Sequence, residues 1–378
     1  MPKPLLRWIA DRITEGGPVP FATFMGWALY HPEHGYYSSG KVRVGEDRGD
    51  FTTAPHLTGL FARCLCRLVT AADVALGHPT PFVLAEGGPG EGRLARDMLD
   101  GLRDGHPSLY RRLLYAPDEA SPALRRRQEE LWAPHRGRLV RWPPAAPVEG
   151  LYFSNELLDA FPVHRLVSRG GRLWEVHVAW DGTRLVEMLL PPSRPELARW
   201  TRGGADLPEG CEAEVNPGVG PWIRAVSAAL ARGYVVTIDY GDEAARLYGP
   251  QRPRGTLLAY RAHRTSEHVL ADPGEQDLTS HVDFTAVIEA GAREGLRSSR
   301  LLTLRDFLVA TGILEELASL ETSGLSERET LEARRAAAPL LLPGQGMGDS
   351  FKALVQARDA PLQALPLDPD RPLPCGDL

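Results

Sequence analysis

In the first part of the chain, segments with the hydrophobic spacing of helices alternate with short apolar runs typical of buried strands. The helical period covers residues 60–76 and 93–104, and a short apolar run at 82–86 lies between them. A second apolar run, RRLLYAPDE, ends near Asp118 or Glu119. Because helices and strands follow each other in turn, the pattern predicts an α/β fold with a mainly parallel sheet.

The middle of the chain continues this order with an insertion. GLYFSNELLDAFPVHRLV and RGYVVTIDYGD are predicted to be buried strands that end in polar residues. Between them, RLWEVHVAWDGTRLVEMLL consists of two alternating runs joined at Asp181-Gly182, which predicts a type I′ hairpin. A helical stretch is expected from about Pro195 to Arg232. Late strands are predicted in RGTLLAYRAHR and GMGDSFKALVQAR, and the proline-rich tail from Pro361 is predicted to be loose.

The N-terminal segment MPKPLLRWIADRITEGG has the pattern of a short amphipathic helix. Leu5, Ile9 and Ile13 are spaced for one apolar face, and the segment lacks the apolar run of a signal peptide. No stretch of the chain approaches the roughly 18 apolar residues that a membrane helix needs. We therefore expect a soluble protein with no membrane partner.

Composition and charge limit the class of function. The chain has 378 residues, 43% of them hydrophobic, and a net charge of -6 with a pI near 6.0, which argues against a nucleic-acid binder. Its four cysteines do not form a disulfide framework in a chain of this length, so a reducing, cytoplasmic location is expected; they lie at positions 64, 66, 211 and 375. Neither Cys64-x-Cys66 nor His31 with His34 has the further partners of a zinc site, so no metal is predicted.

A glycine cluster joins a predicted strand to a predicted helix in FVLAEGGPGEGRLARDML. The acid Glu86 ends the strand, and Gly88-x-Gly90-x-Gly92 follows it. This spacing differs from the G-x-G-x-x-G of dinucleotide sites, and the Gly-Lys-Ser/Thr of a P-loop is missing. It suits a ligand with an amino-acid end and no pyrophosphate, such as S-adenosylmethionine. A purely structural turn is the alternative.

A second acid, Glu119, follows the next predicted strand. In doubly wound folds an acid at this place holds the two hydroxyls of a ribose. Both NAD and S-adenosylmethionine carry a ribose, so this residue alone does not separate them. An exposed loop acid is the alternative explanation.

Nine segments of the chain occur in the order seen in the MidA-type methyltransferases, a family that the chain resembles from about residue 5 to 357. They are FMGWALYHPEHGYYSSG, GDFTTAP, EGGPGEGRL, EASPALRRRQ, SNELLDAFPVH, IDYG, GTLLAYRAH, LRDFLVATGI and GMGDSFK. These proteins are similar to the mitochondrial complex I assembly factor that methylates arginine on a protein subunit. The resemblance implies a class I methyltransferase, a Rossmann-like α/β fold whose seven-stranded sheet has an antiparallel last strand.

The resemblance also implies an organisation and a cofactor. The expected segments are an N-terminal helix and lid, a cofactor-binding core, a β-hairpin and helical insertion, the remainder of the core sheet, and a loose tail, at residues 1–59, 60–170, 171–232, 233–360 and 361–378. The cofactor is S-adenosylmethionine, and the implied partner is a protein substrate such as a respiratory complex subunit.

Individual residues match the family's motifs. The implied cofactor-binding residues are Glu86, Gly88, Gly90, Gly92, Glu119, Asn155, Asp50 and Phe51. Tyr30, His31, Gly35 and Tyr36 belong to an N-terminal segment that is expected to pack near the cofactor. Two residues depart from the family, since Glu91 replaces the usual arginine and Arg93 a small hydroxyl residue.

Two acids in SNELLDAFPVH are the candidate catalytic residues. A guanidinium is cationic at neutral pH, so it becomes a nucleophile only if carboxylates localise its charge. Glu156 and Asp159 are three residues apart and would share one face if Asn155 began a turn or helix. Alternatively, Asp159 caps local backbone and Glu156 orients the cofactor.

Three functions therefore stay open. The first is a protein arginine methyltransferase, which the family and the paired acids favour. The second is a small-molecule O- or N-methyltransferase, which would need a closed apolar pocket. The third is a cofactor-binding assembly factor without turnover, for which Glu91 and Arg93 are the only hint. The sequence does not indicate the oligomeric state.

Overall fold

The computed structural model describes residues 3–39, 59–201, 204–261, 264–320, 326–344 and 346–370. The predicted cofactor residues Asp50 and Phe51 lie outside these ranges. The chain forms two compact units, each assembled from three separate segments. The first contains the described residues of Met1–Thr52 with Leu158–Pro221 and Gly241–Val287, and the second those of Thr53–Leu157, Trp222–Tyr240 and Ile288–Leu378.

The elements follow each other along the described residues. The strands are β1 Val19–Pro20, β2 Phe82–Gly87, β3 Leu113–Asp118, β4 Val148–Asn155, β5 His164–Ser168, β6 Leu173–Trp180, β7 Leu185–Leu190, β8 Glu212–Val215, β9 Leu230–Asp242, β10 Leu258–Arg261, β11 Arg264–Ser266, β12 Asp277–Thr279, β13 Val282–Asp283, β14 Ser298–Thr303 and β15 Phe351–Arg358. The α-helices are α1 Pro4–Gly16, α2 Phe21–Tyr30, α3 Gly59–Ala75, α4 Arg93–Gly105, α5 Pro107–Arg112, α6 Pro122–Leu131, α7 Pro195–Ala198, α8 Val219–Ala229, α9 Ala244–Leu247, α10 Phe284–Arg293, α11 Leu304–Ala310, α12 Ile313–Ser319, α13 Glu327–Leu341 and α14 Met347–Ser350. Short 3-10 helices cover Ala133–Arg138 and Leu362–Ala364.

The second unit is built around a mainly parallel sheet. Six of its strands have the order β14-β15-β9-β4-β2-β3. The seventh, β13, pairs with Gly241 and Asp242 of β9, and β13 and these two residues are assigned to the first unit. β3, β2, β4 and β9 run parallel, whereas β15 lies antiparallel between β9 and β14. This confirms the predicted α/β fold with its antiparallel last strand. The carboxyl ends of the parallel strands meet at one edge of the sheet, where open α/β folds bind ligands.

The pattern of apolar residues explains these elements. β2 is buried at every position, as expected for a central parallel strand that is covered on both faces. α4 buries Leu94, Met98, Leu99 and Leu102, which are spaced three or four residues apart on one helix face. The same helical spacing therefore fixes which side of α4 packs into the core of the second unit.

The first unit contains two smaller sheets and the N-terminal helices. One sheet has the order β1-β6-β5-β8, with β7 also paired to β6, and the other the order β11-β10-β12. The predicted amphipathic helix is α1, which buries Leu5, Ile9 and Ile13 in the apolar core of this unit. α2 adds Phe21 and Phe24 to the same core, and both side chains are fully buried.

The predicted hairpin forms between β6 and β7, but its turn differs from the prediction. Four residues, Asp181 to Arg184, separate the strands instead of two. The Asp181 N–H donates to the Arg184 carbonyl at 3.1 Å, and Asp181 Oδ1 accepts from the N–H groups of Thr183 and Arg184 at 2.8 Å each. A type I′ turn needs a positive φ at both central residues, and of Gly182 and Thr183 only Gly182 has one, at 100°, so the prediction of this turn type is wrong.

Two further segments differ from the sequence pattern. The predicted helical stretch at 195–232 is divided into α7 and α8 by β8, which pairs with β5, and its last residues belong to β9. Strand pairing outweighs local helical preference here. The tail from Pro361 is not loose up to Asp370, because Leu365 and Leu367 are each only 6% exposed and lie in the core of the second unit.

None of the helices described is both long and apolar enough to cross a membrane.

Candidate functional site

A buried acid stands at the carboxyl end of β2. Glu86 is 3% exposed, and Oη of Tyr115 on the neighbouring β3 donates to its Oε2 at 2.6 Å. Burial raises the pKa of Glu86 from 4.5 to about 8, although the Tyr115 hydrogen bond acts in the opposite direction. The hydroxyl therefore holds one carboxyl oxygen in place at the end of a strand whose residues are all buried.

The three glycines of the loop after β2 have different roles. Gly88, Gly90 and Gly92 all have positive φ, at 64°, 57° and 80°. A Cβ on Gly88 would lie 2.8 Å from Leu157 Cδ1, and one on Gly92 would lie 2.7 Å from the Trp132 ring. A Cβ on Gly90 would meet no atom of the described residues within 4 Å. Gly88 and Gly92 thus permit close packing, whereas Gly90 faces open space that a ligand could use.

Gln128 on α6 connects this loop to the second predicted acid. Its Nε2 donates to the Gly90 carbonyl at 2.6 Å and lies 3.4 Å from Glu119 Oε2. Glu119 also accepts from the Ser121 N–H at 2.8 Å, and burial raises its pKa above the ordinary value. Glu119 and the glycine loop are therefore parts of one hydrogen-bonded site.

Some functional residues were missed by reasoning from the sequence. Gln128 lies among charged residues in the sequence but is buried, and its one signal is that it follows the buried Leu124 by four residues on the same helix face. Trp132 Nε1 donates to the Gly92 carbonyl at 2.8 Å and fixes the end of the loop. Asp118 accepts from Tyr152 Oη at 3.2 Å, and burial raises its pKa.

The two residues that depart from the family form a pair with each other. Arg93 Nε lies 3.2 Å from Glu91 Oε2, with the arginine side chain 55% exposed and the glutamate 17% exposed. The negative charge that Glu91 adds to the loop is therefore offset locally by Arg93. An ion pair this exposed contributes little stability, so its main effect is on local charge.

Asn155 and Glu156 follow one another where β4 ends. Asn155 Nδ2 donates to Glu156 Oε1 at 3.1 Å, and Asn155 Oδ1 is buried without a hydrogen-bond partner among the described residues. Glu156 has a φ of 53°, which is rare for a residue with a side chain. Strained backbone of this kind is concentrated at functional sites. The amide of Asn155 and the carboxylate of Glu156 therefore both lie at the carboxyl edge of the sheet.

The condition under which Glu156 and Asp159 would share one helix face, a helix that begins at Asn155, is not met. β4 continues through Asn155, and the left-handed backbone of Glu156 prevents a helix from starting there. Asp159 belongs to the first unit, where it is 5% exposed and its carbonyl accepts from the Ser280 N–H at 3.0 Å. Glu156 and Asp159 therefore belong to different units, and the binding of one acceptor by both acids stays a prediction.

The N-terminal motif closes the end of α2 in the first unit. The N–H groups of Tyr36 and Tyr37 donate to carbonyls of α2 at 3.0 and 2.9 Å, and a Cβ on Gly35 would lie 2.4 Å from the His31 nitrogen. Tyr30 Oη donates to the Ala160 carbonyl at 2.8 Å. The motif builds a compact aromatic turn, and its predicted place near the cofactor stays a prediction.

The cysteines and histidines considered for a metal have other surroundings. Cys64 and Cys66 are buried, and burial raises the pKa of each thiol to about 12. The rings of His31 and His34 stack with centroids 5.4 Å apart. Over the ranges that the structure covers, no three metal-ligating side chains come together.

The site of the second unit fits S-adenosylmethionine. Four features suit a ligand with an ammonium group and ribose hydroxyls. They are the carboxyl groups of Glu86 and Glu119 and, as far as the described residues go, the open space beside Gly90 and the amide oxygen of Asn155 that has no hydrogen-bond partner. These groups surround the strand ends where class I folds hold this ligand.

A parallel sheet with an antiparallel last strand, a glycine loop after its first strand and acids at two strand ends define the class I methyltransferases. The family model of S-adenosyl-L-methionine-dependent methyltransferases matches residues 62–302, and the chain belongs to this family, of the MidA type. A solved protein from Burkholderia thailandensis bound to S-adenosyl-homocysteine is 33% identical, with 97% of each chain covered and a TM-score of 0.85. The chain is an S-adenosylmethionine-dependent methyltransferase.

Curated relatives carry a more specific name. The protein arginine methyltransferase NDUFAF7 homolog of Drosophila melanogaster, a mitochondrial protein, is 27% identical, with 75% of this chain and 69% of the relative covered. The mitochondrial protein arginine methyltransferase NDUFAF7 of Mus musculus is also 27% identical, with 92% of this chain and 83% of the relative covered.

Proposed function

We propose that this methyltransferase acts on an arginine side chain of a protein. The observation that carries the proposal is the carboxylate of Glu156, held at positive φ where β4 ends and oriented by the Asn155 amide. The names of the relatives in fruit fly and mouse support the same acceptor.

The chemistry of the acceptor explains why a carboxylate is needed. A guanidinium has a pKa above about 12, so its nitrogen lone pairs are delocalised at neutral pH. Bound S-adenosylmethionine supplies the electrophilic methyl group. Glu156 would accept hydrogen bonds from the guanidinium and draw its positive charge away from the reacting nitrogen. Asp159 is retained as a second predicted acceptor-binding carboxylate on its sequence position alone.

The cofactor contacts are also proposed residue by residue. Glu86 and Glu119 supply acceptors for the ammonium and the hydroxyls, the backbone at Gly90 permits close approach, and Gly88 and Gly92 shape the loop. The amide of Asn155 supplies a further polar contact. Asp50 and Phe51 stay in this proposal from the family resemblance alone.

Transfer of a labelled methyl group tests the proposal. Purified protein is incubated with methyl-labelled S-adenosylmethionine and a native lysate, and labelled peptides are analysed by mass spectrometry, with the Glu156→Gln variant as a control. Methylarginine in a protein band, strongly reduced in the variant, is expected. Label found only in small molecules would indicate a small-molecule methyltransferase, and no label above the variant would favour a cofactor-binding factor without turnover.

The partner and the compartment are proposed at a coarser level. A respiratory complex subunit is carried by the family resemblance alone. A cytoplasmic location is proposed because the cysteines Cys64, Cys66 and Cys211 are free, as in a reducing compartment, whereas the relatives are named as mitochondrial proteins. Fractionation of the source cells, with detection of the native protein, tests this part.

A further inference from the structure

The first unit contains a cavity of about 430 Å³ that the proposed chemistry does not use. All of its lining residues belong to this unit, and they come from β5, β7, β8, the segment that leads into β10, and the residues that follow β11 and β12. The charged lining residues are Arg165, Glu187, Glu212, Arg252, Arg254 and Glu267.

A buried arginine forms the inner part of the cavity and pairs with two carboxylates, of which the Glu212 side chain is 20% exposed and the Glu187 side chain 42% exposed. Arg165 is 8% exposed, and it pairs through Nη1 with Glu187 Oε1 and through Nη2 with Glu212 Oε2, the latter at 2.8 Å. Within the described chain, no hydrogen bond reaches Glu187 Oε2 or Glu212 Oε1. Two carboxylates around one guanidinium leave a net negative charge here, together with free acceptor oxygens.

The rim of the cavity has the opposite charge. Arg254 and Glu267 form an exposed ion pair at 2.6 Å, with side chains 75% and 62% exposed. Arg252 is also exposed and makes no ion pair with any residue of the described ranges. The rim therefore has a surplus positive charge above an inner part with a surplus negative charge.

A buried acid holds one wall of the cavity in place. Glu214 is 3% exposed and accepts from the Thr256 N–H at 2.9 Å, the Leu257 N–H at 3.2 Å and Thr256 Oγ1 at 3.1 Å. Gly255 has a φ of 70°, and a Cβ there would lie 2.1 Å from Glu214 Oε1. The wall is thus fixed before any ligand arrives, which lowers the entropy that binding must overcome.

We propose that this cavity binds an arginine side chain of a protein partner that has an acidic residue next to it. The guanidinium enters between Glu187 and Glu212 and donates to their free oxygens, and the neighbouring carboxylate of the partner meets Arg252 at the rim. This inference rests on the proposed function at one point: the protein partner is taken to be the substrate that is methylated.

Two matched peptides test the cavity without any methyl transfer. Acetyl-Gly-Arg-Asp-Gly-amide and its citrulline counterpart are titrated by calorimetry into the full chain without cofactor. Citrulline has the shape of arginine but no charge, so we expect it to bind at least about tenfold more weakly. Equal affinity for the two peptides, or no binding of the arginine peptide, would overturn the proposal.

Variants locate the binding. Glu212→Gln should weaken binding of the arginine peptide by about tenfold, whereas Glu196→Gln, which replaces an exposed residue, should not change it. Because Glu212→Gln leaves Arg165 short of one partner and could destabilise the unit, Leu258→Trp is the second variant. It fills the cavity without changing a charge, and it should abolish binding. Unchanged binding in Leu258→Trp would overturn the proposal. Methyl transfer to protein is measured separately, so the two proposals can fail independently.

Discussion

The carboxyl group of Glu86 links the site to pH. Its pKa in the folded protein is about 8, against an ordinary value of 4.5. The protonated form is thus favoured by folding, and the stability it contributes is complete below about pH 4.5 and lost as the pH rises through 8. Between pH 5 and pH 9, we expect the free energy of unfolding of Glu86→Gln to rise by roughly 1 to 3 kcal/mol relative to that of the natural chain.

Urea unfolding of both proteins without cofactor at several pH values measures this difference. The control is Glu149→Gln, which replaces a partly exposed acid near the start of β4, and this variant should show no such change. A constant difference between Glu86→Gln and the natural chain across this pH range would rule out an ionisable, buried Glu86.

Glu156 is expected to affect turnover and not cofactor binding. A charge-assisted hydrogen bond contributes about 1.5 to 3 kcal/mol, so Glu156→Gln should lower methyl transfer by at least about tenfold. Calorimetry with S-adenosylmethionine should give a Kd close to that of the natural chain. Glu156→Gly accepts the positive φ but lacks the carboxylate, and it should lose the same activity. If Glu156→Gln loses cofactor binding, the residue belongs to the cofactor site.

Asp159 has its own test in the first unit. We expect Asp159→Asn to lower turnover by at least about tenfold, since the amide keeps the shape of the side chain and removes its charge. The melting temperature shows whether the buried position tolerates the amide. Turnover equal to that of the natural chain would leave Asp159 as a residue that only caps local backbone.

Single residues of the site differ in how far the sequence reveals them. Glu86, Gly90 and Glu119 lie where strands end, so their places follow from the alternation of strands and helices. Tyr115 and Gln128 were not predicted, because their contacts arise only when β3 and α6 pack against the loop. The left-handed backbone of Glu156 has no local sequence signal either, and its N–H donates to the Ile238 carbonyl of β9 at 2.9 Å.

At the scale of elements, the loop between β2 and α4 should control cofactor binding. Gly90→Val places a β-branched side chain at a φ of 57° and in the open space beside the loop. We expect S-adenosylmethionine to raise the melting temperature of the natural chain through mass action, and Gly90→Val to lose this shift. NAD should give no shift with either protein.

Gly105→Ala is the matched control for the loop. Gly105 lies at the end of α4, and a Cβ there would meet no atom within 4 Å. This variant should keep the full thermal shift with S-adenosylmethionine. A shift with NAD but none with S-adenosylmethionine, measured on the natural chain, would contradict the assignment of the loop.

Elements with a strong apolar pattern could be predicted, whereas weaker ones depended on partners far along the chain. β2 and α4 are marked by runs and spacings that persist in the structure. β8 has only four residues and forms through its pairing with β5, so the segment around it read as helical. The turn after Trp180 depends on the side chain of Asp181, which a two-residue hairpin signal does not include.

For the whole molecule, the N-terminal segment has a structural role that a lid alone would not require. Phe21 and Phe24 are fully buried in the core of the first unit. We expect deletion of residues 1–54 to make 158–221 and 241–287 sensitive to limited proteolysis, because that unit loses core residues. Phe24→Ala should reproduce part of this sensitivity, because it lowers the free energy of unfolding by about 3 to 5 kcal/mol. Asp11→Ala replaces an exposed residue and should not reproduce it. Unchanged protease resistance after the deletion would restore the lid as the sole role.

The position of β15 also determines when the molecule can be completed during synthesis. This strand, Phe351–Arg358, lies between β9 and β14, so the interior of the sheet waits for residues near the end of the chain. Until they leave the ribosome, β9 and β14 each present an open strand edge, which is a surface prone to aggregation. A nascent chain stopped before residue 351 is therefore expected to aggregate more readily than the whole chain, even though every residue of the glycine loop has already been made.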